Sequence, residues 1–262
     1  MRVLVSGAGG NMGREVVRAV MAEEDMELVA AVDPREVGKD IGEICGLTRL
    51  GIDVTEDLNS ALKNIKTDAV VDFTSPFVVM KNIETIIDNG VDLVIGTTGI
   101  TNADVERIKK RAGKKGVKGV IAPNFALGAV LMMKLSCMAA RYLDSVEIIE
   151  LHHDKKVDAP SGTAIKTAQM ILEERGFESP SLPEEIEKIE GVRGGELEGI
   201  KIHSVRLPGM VAHQQVIFGG LGQTLTVRHD SLNRTSFMPG VIMALRKLPE
   251  IKGIVFGLEH LI

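Results

Sequence analysis

Val3-Leu4-Val5-Ser6 runs without a break into Gly7-Ala8-Gly9-Gly10-Asn11-Met12-Gly13, and the fold class follows from that junction. A short β-branched run that ends in glycines and passes at once into an amphipathic stretch reads as strand, tight turn and helix. Val16, Val17, Val20 and Met21 then recur at helical spacing, while Arg14, Glu15, Arg18 and Glu23 face elsewhere. A strict G-x-G-x-x-G pattern fails because Met12 takes the sixth place, whereas G-x-x-G-x-x-G is satisfied by Gly7, Gly10 and Gly13. The physical demand is the same: a tight turn, close backbone approach to a pyrophosphate, and a bare residue where helix meets strand. Free N–H groups and the helix dipole then face the anion.

The same rhythm continues outward from that junction. Glu27 to Val32, Ala69 to Phe73, Val91 to Ile95 and Val117 to Ile121 are further short β-rich runs separated by amphipathic segments, the pattern of βαβ units and a parallel sheet. Asp33 closes the second run, 20 positions after Gly13, where a carboxylate takes both ribose hydroxyls of an adenosine; the plainer alternative is that Asp33-Pro34 starts a turn. Asp33 would repel a 2′-phosphate, and Arg35 and Lys39 would attract one, so NADH and NADPH are both expected coenzymes. Small polar residues gather where later strands stop, at Thr74-Ser75-Pro76 and at Gly96-Thr97-Thr98-Gly99, the carboxyl edge at which open parallel sheets bind ligands.

Composition sets the outer bounds. The chain has 262 residues, 44% of them apolar and 26% charged, which is the balance of a folded globular protein and excludes disorder, collagen and coiled coil. Seven Phe, one Tyr and no Trp weaken any reading built on base stacking. A net charge of −5, with no long basic face, makes nucleic acid an unexpected partner. Cys45 and Cys137 stand too far apart and too alone for a disulfide framework or a metal ladder, which fits a reducing cytoplasm. The Val3 to Val5 run is too short for a secretory core, and no apolar run approaches the ~20 residues that span a bilayer, so no membrane association is expected.

Beyond Ala122-Pro123-Asn124-Phe125 the texture changes. A helix from about Ala129 to Tyr142, a strand Val146 to Leu151 and a helix from about Thr163 to Glu174 are followed by a loop with Pro180 and Pro183 and an acidic stretch Glu184 to Glu190. After a turn at Gly191, Gly194, Gly195 and Gly199 come three strand-like runs, Ile200 to Arg206, Val211 to Phe218 and Thr224 to Arg228. Pro208-Gly209 and Gly219 to Gly222 read as turns joining antiparallel neighbours. Phe237 to Leu248 reads as a helix and Ile254 to Phe256 as a short strand that could pack in either domain. The expected fold class is α/β: an N-terminal Rossmann-type parallel-sheet domain, residues 1–122 with 238–262, and a C-terminal α+β domain with a mixed sheet, residues 123–237.

The stretch richest in chemistry is Glu150-Leu151-His152-His153-Asp154-Lys155-Lys156-Val157-Asp158-Ala159-Pro160-Ser161-Gly162-Thr163. Neighbours on a strand point to opposite faces, so His152 and His153 do not readily share one ion, and no metal is expected. Proton transfer demands less: an imidazole donates or accepts near pH 7, and Lys156 polarises a carbonyl or imine or holds a carboxylate. Gly162-Thr163 opens a helix whose Ala164, Ala168 and Ile171 recur every three or four residues, and its exposed N–H groups make an anion seat. The plainer alternative is that Ser161 or Thr163 simply caps this helix.

With both motifs in view, the sequence resembles the 4-hydroxy-tetrahydrodipicolinate reductase (dihydrodipicolinate reductase) family of the diaminopimelate route to lysine. The resemblance covers nearly the whole chain and rests on Gly7 to Gly13, Asp72-Phe73-Thr74, Gly96 to Gly99, Ala122 to Phe125 and the long signature Glu150 to Ala164. It implies that Gly7, Ala8, Gly9, Gly10, Asn11, Met12 and Asp33 hold the adenosine diphosphate part of NADPH or NADH. Gly96, Thr97 and Thr98, with Ala122, Pro123, Asn124 and Phe125, line the nicotinamide side. His152 corresponds to the family's proton-transfer residue, Lys156 to its catalytic cation or proton donor, His153 to a substrate contact, and Gly162 with Thr163 to the pair that holds a substrate carboxylate. Arg234 sits where the family has an arginine. Asn11 stands where an arginine is frequent and Pro34 where some members carry one, Gln223 where a glutamate is common, and the turn between Arg206 and His213 is one residue shorter than in many members.

Residues and resemblance meet in one expectation: hydride passes to C4 of a cyclic, unsaturated imine dicarboxylate after loss of water, and His152, assisted by Lys156, completes the reduction with a proton. With the coenzyme expected on one domain and the carboxylate ligands on the other, closure about Ala122 to Phe125 and the return near Arg234 to Pro239 is expected from an open apo form. The resemblance implies a homotetramer, paired through the strands Ile200 to Arg228. An aspartate or diaminopimelate dehydrogenase of the same layout, and a nucleotide sensor without turnover, are the rival readings.

Overall fold

The computed structural model describes residues 1–176 and 186–262, so Pro180, Pro183 and the start of the acidic stretch lie outside the described residues. Contacts divide the chain into two units, Met1–Phe125 with Arg234–Ile262, and Ala126–Asn233.

In the first unit the elements run β1 (Arg2–Ser6), α1 (Asn11–Met21), β2 (Glu27–Val32), α2 (Ile41–Ile44), α3 (Leu58–Asn64), β3 (Ala69–Asp72), α4 (Val79–Asp88), β4 (Asp92–Ile95), α5 (Asn102–Lys115) and β5 (Gly119–Ile121). The final part of the chain returns to this unit. After a single 3-10 turn, Arg234–Phe237, α8 (Met238–Lys247) packs against α1, and β11 (Ile254–Phe256) pairs with β5. The sheet order is β11-β5-β4-β3-β1-β2, and every pairing is parallel. Both faces are covered, so the strands are continuous apolar runs: Val3, Leu4, Val5, Val70, Val71, Leu93, Val94 and Ile95 are fully buried. From β1 the chain goes to β2 on one side and then crosses to β3 on the other. That reversal opens a crevice beyond the carboxyl ends of β1 and β3.

The expected break after Ala122 falls instead after Phe125, and the return falls before Arg234 rather than at Met238. Phe125 is buried against Phe73, ring centroids 5.9 Å apart, and a Cβ on Gly240 of α8 would lie 2.0 Å from the Phe125 carbonyl oxygen. A residue packed on both sides by one unit belongs to it.

The second unit is built from α6 (Leu127–Ala140), β6 (Ser145–His152), α7 (Gly162–Glu174), β7 (Gly195–Leu197), β8 (Ile200–Arg206), β9 (Ala212–Gly220) and β10 (Gln223–Ser231). Its sheet order is β10-β9-β6-β8-β7, with β6 and β8 parallel and the other pairs antiparallel. Alternation along β6 buries Val146, Ile148 and Glu150 on one face, and Val216 and Phe218 of β9 join them against α6 and α7. The turn at Gly219 to Gly222 joins hydrogen-bonded neighbours, but the turn at Pro208-Gly209 does not: β8 and β9 lie on opposite sides of β6. A proline-glycine turn reverses the chain; which strand lies alongside is set by packing on both edges of β6.

Candidate active site

Four residues, Gly7 to Gly10, separate β1 from α1, and backbone groups make the connection. The Gly7 and Ala8 amides donate to the Val32 carbonyl at 2.8 and 3.1 Å, and the Gly10 amide donates to the Gly7 carbonyl at 3.0 Å. Gly7 has φ +79°, and a Cβ there would lie 2.4 Å from the Phe73 carbonyl oxygen. At Gly13 a Cβ would lie 2.0 Å from the Gly7 carbonyl oxygen. No side chain caps α1, so the amides of Asn11, Met12 and Gly13 open the helix as donors for an outside anion. Arg14 braces the turn from behind, its Nε donating to the Gly9 carbonyl at 2.9 Å.

Asp33 is buried, and its Oδ2 accepts the Gly9 amide at 3.1 Å, which ties the end of β2 to the glycine turn. The largely exposed Arg35 folds back on the same carboxylate, Nε to Oδ1 and Nη2 to Oδ2, both at 3.2 Å. Burial works against the charge of Asp33, but the Arg35 guanidinium and the Arg35 and Gly9 amides hold its carboxyl below the usual range. A glycine-rich cradle, uncapped helix amides and a carboxylate at the end of the second strand fit a dinucleotide.

Next in the sheet, Asp72 at the end of β3 is fully buried and gathers the adjacent strand ends. Its Oδ1 accepts the Thr74 and Thr97 hydroxyls at 2.7 Å each, and its Oδ2 accepts Asn82 Nδ2 at 2.9 Å. The Gly96 amide donates to the Asp72 carbonyl at 2.9 Å, and a Cβ on Gly96 would lie 2.1 Å from the Phe73 ring. Gly96, the buried Thr97 and the exposed Thr98 therefore leave β4 beside β3. Ala122 donates its amide to the Ile95 carbonyl at 3.0 Å, followed by exposed Pro123, half-buried Asn124 and buried Phe125. The sequence reading gave Asp72 and Asn82 no role; Asp72 was legible as a buried-strand carboxylate, and Asn82, ten residues on, was not.

In the second unit the pleat of β6 places Glu150 and His152 on one face, two residues apart. Glu150 is fully buried, yet both its oxygens are engaged. The Arg206 fork donates at 2.8 and 2.7 Å, the Ser161 amide at 3.1 Å, and His152 Nδ1 lies 2.5 Å from Oε2. Burial opposes ionisation of Glu150, but Arg206, the Ser204 hydroxyl and His152 hold it below the usual carboxylate range. His152 moves down from its ordinary value: burial leads, Lys156 and Arg206 add to it, and Glu150 pulls the other way.

His153 follows the strand and is exposed. Lys156 donates to both Asp158 oxygens at 2.7 Å, with its side chain only 20% accessible. Ser161 caps α7, its hydroxyl accepting the Ala164 amide at 3.2 Å, so the cap falls to Ser161 rather than Thr163. Ahead of that amide stand Gly162, with nothing within 4 Å of a built Cβ, and Thr163. Beneath them the Thr167 hydroxyl donates to the Thr163 carbonyl at 2.7 Å and accepts Gln214 Nε2 at 2.8 Å. Arg206 and Gln214, both far along the chain, carried no signal in the sequence.

Among the described residues no group of three or more His, Cys, Asp and Glu stands together to hold a metal ion, and no helix is long and apolar enough to cross a membrane.

A parallel sheet with a glycine cradle at its switch point, joined to a unit bearing a histidine, a lysine and an open helix start, defines a two-domain nicotinamide-dependent oxidoreductase. The family described as "Dihydrodipicolinate reductase, N-terminus" matches residues 1–125, and "Dihydrodipicolinate reductase, C-terminus" matches residues 128–262. A 4-hydroxy-tetrahydrodipicolinate reductase of Desulfitobacterium hafniense is 53% identical over 99% of this chain and 98% of its own length. That of Listeria innocua is 52% identical over the whole of both chains. Among solved structures, "Dipicolinate bound Dihydrodipicolinate reductase from Paenisporosarcina sp. TG-14" superposes with a TM-score of 0.89 at 47% identity, covering 100% of this chain and 99% of that one. The chain belongs to the dihydrodipicolinate reductase family. Its activity is the NAD(P)H-dependent reduction of a cyclic imine dicarboxylate, in lysine biosynthesis through diaminopimelate.

Proposed function

We propose that the two strand ends divide this reduction, the first unit holding the coenzyme and the second the diacid and the proton. The observation that carries the reading is the end of β6, where Glu150-held His152, Lys156 and the start of α7 stand within one loop. Gly7, Ala8, Gly9 and Gly10 shape the cradle in which the uncapped amides of Asn11 and Met12 receive the pyrophosphate, and Asp33 takes the ribose hydroxyls once Arg35 swings away from it. Gly96, Thr97, Thr98 and Ala122 to Phe125 line the nicotinamide side. The reduced nicotinamide, when bound, supplies the hydride that enters at C4 of the ring.

His153, Gly162 and Thr163 bind the substrate carboxylates, the helix start supplying donors and the favourable end of its dipole. Lys156, released from exposed Asp158, neutralises the diacid and draws electron density toward the ring nitrogen as hydride arrives. His152 delivers the proton to the ring carbon left electron-rich, which restores the C=N bond. That the Paenisporosarcina relative is described with dipicolinate bound supports a site for a planar ring diacid.

The homotetramer pairs through the face of the mixed sheet turned away from α6 and α7, where Ile149, Leu151 and Ile217 are only half-buried. Two unpaired cysteines suit a reducing cytoplasm.

The test mixes purified protein with NADPH or NADH and freshly generated cyclic substrate. Nicotinamide absorbance falls only when that substrate is present. Binding of NADH without oxidation identifies a sensor, and oxidation driven by an open-chain keto acid with ammonia identifies a dehydrogenase of the rival kind; either result overturns the proposal.

A further inference from the structure

Glu150 is a carboxylate with no exposed surface, and its side chain meets His152 among the groups assigned above to the substrate. Its neighbours are laid out by the sheet. The parallel register of β6 with β8 sets His152 opposite Arg206, so the guanidinium forks onto Glu150 from the adjacent strand. Arg206 Nη2 also donates to the Asp158 carbonyl at 2.8 Å, and Glu150 Oε1 accepts the Ser161 amide. One buried ion pair thus braces the stretch that leads from Lys156 into α7, at Asp158 and at Ser161.

The orientation of His152 follows from the same pair. An ionised Glu150 only accepts hydrogen bonds, so the ring nitrogen beside it, Nδ1, must carry a hydrogen. Among the described residues nothing else bonds the ring, which leaves Nε2 for the substrate. A neutral ring so held presents a lone pair there, and only the imidazolium presents N–H.

We propose that Glu150, locked by Arg206, is a positioning residue that fixes the proton of neutral His152 on Nδ1, so that His152 donates from Nε2 only as the imidazolium. This rests on His152 being the proton donor. Each turnover transfers the Nε2 proton to the electron-rich ring carbon, leaves neutral Nδ1–H histidine, and ends with proton uptake from water at Nε2. The charges facing His152 are Glu150 on its own strand, Arg206 on β8 and Lys156 on the loop; β9 sets the uncharged Ala212 opposite it. Rate therefore falls as pH rises through the His152 titration, and removing the Glu150 charge moves that limb to lower pH.

The tests use the whole enzyme. Histidine-selective nitrogen labelling and long-range proton–nitrogen correlation, assigned with His152→Asn, show neutral His152 as the Nδ1–H form; an Nε2–H form overturns the proposal, and this measurement needs no variant of Glu150 to fold. Glu150→Gln keeps an acceptor for Nδ1 but loses the charge, so the alkaline limb of kcat/KM moves about one pH unit downward while coenzyme affinity stays unchanged. Loss of amplitude with an unmoved limb assigns Glu150 to the scaffold alone and overturns the inference. Full turnover in His152→Asn is a different failure, because it removes the donor reading on which the inference stands.

Discussion

Two connections in this molecule do similar work with opposite materials. Between β1 and α1 lie four residues, Gly7-Ala8-Gly9-Gly10, and the proposed anion seat is made of the backbone amides that open α1. Between β6 and α7 lie nine, residues 153–161, and the seat is joined by an imidazole, an ammonium and a buried carboxylate. A backbone seat is compact, admits no Cβ at Gly7 or Gly13, and is indifferent to pH because amides do not titrate. A side-chain seat needs more chain and outside bracing, here from Arg206, and its charge can be tuned. Under the proposed division of labour, binding a constant pyrophosphate suits the first, and moving a proton requires the second.

Four measurements would break or sharpen that contrast. The largest effect is expected for Lys156→Ala, which lowers kcat by roughly 10³, about 4 kcal/mol of transition-state stabilisation, while NADH affinity stays within about twofold. Equal loss of both would erase the division of labour. Next is Gly13→Ala: a methyl 2.0 Å from the Gly7 carbonyl oxygen forces the backbone to move, costing about 1–3 kcal/mol in denaturant unfolding and at least about tenfold in NADH affinity. Gly162→Ala is the matched control in the other connection. Nothing lies within 4 Å of its Cβ, so stability holds or rises by up to about 1 kcal/mol, while KM for the diacid increases; a destabilised Gly162→Ala would make the two seats alike.

The smallest effect is in stability against pH. The folded-state pKa of His152 lies below its ordinary value of 6.5, so the folded chain binds fewer protons than the unfolded one as pH falls past that value. Stability is complete above the ordinary histidine value and is lost as pH falls below it, a drop of at most a few degrees in Tm; half-buried His229, also lowered, adds to it. Asp33 behaves in the other window. Its lowered carboxyl keeps its contribution until the pH falls below the ordinary carboxylate range, so the glycine cradle is silent between pH 7 and 5. His152→Asn flattens the slope, and an unchanged slope would remove His152 from the account.

The first connection was the easier to read. Its signals are local: Val3 to Ser6, the glycine spacing and Asp33 all declare themselves within 33 residues, and the alternation of strands and helices carries through to Ile121. The residues of Ile254–Phe256 permit packing in either domain, because a three-residue strand carries no mark of which sheet it joins; only the assignment of 238–262 as a whole to the first domain places it there. In the second unit the signature Glu150 to Thr163 exposed the chemistry, but not its support. Arg206 meets Glu150 only because β8 lies parallel to β6, an adjacency that the turn at Pro208-Gly209 does not encode. Asp40 shows the same limit: its buried carboxylate collects five amides, from Gly42, Glu43, Leu50, Gly51 and Ile52, and nothing in the local pattern announced that knot.

The sheet of the first unit is finished by β11, whose residues 254–256 are separated from those of β5 by the whole second unit. During synthesis the second unit, being contiguous, has every residue it needs before its neighbour does. Meanwhile β5 waits at the ribosome with a bare row of amides and carbonyls, an edge open to wrong partners for as long as translation takes to reach Phe256. Nascent chains halted just short of that point should be the ones that aggregate or recruit chaperones.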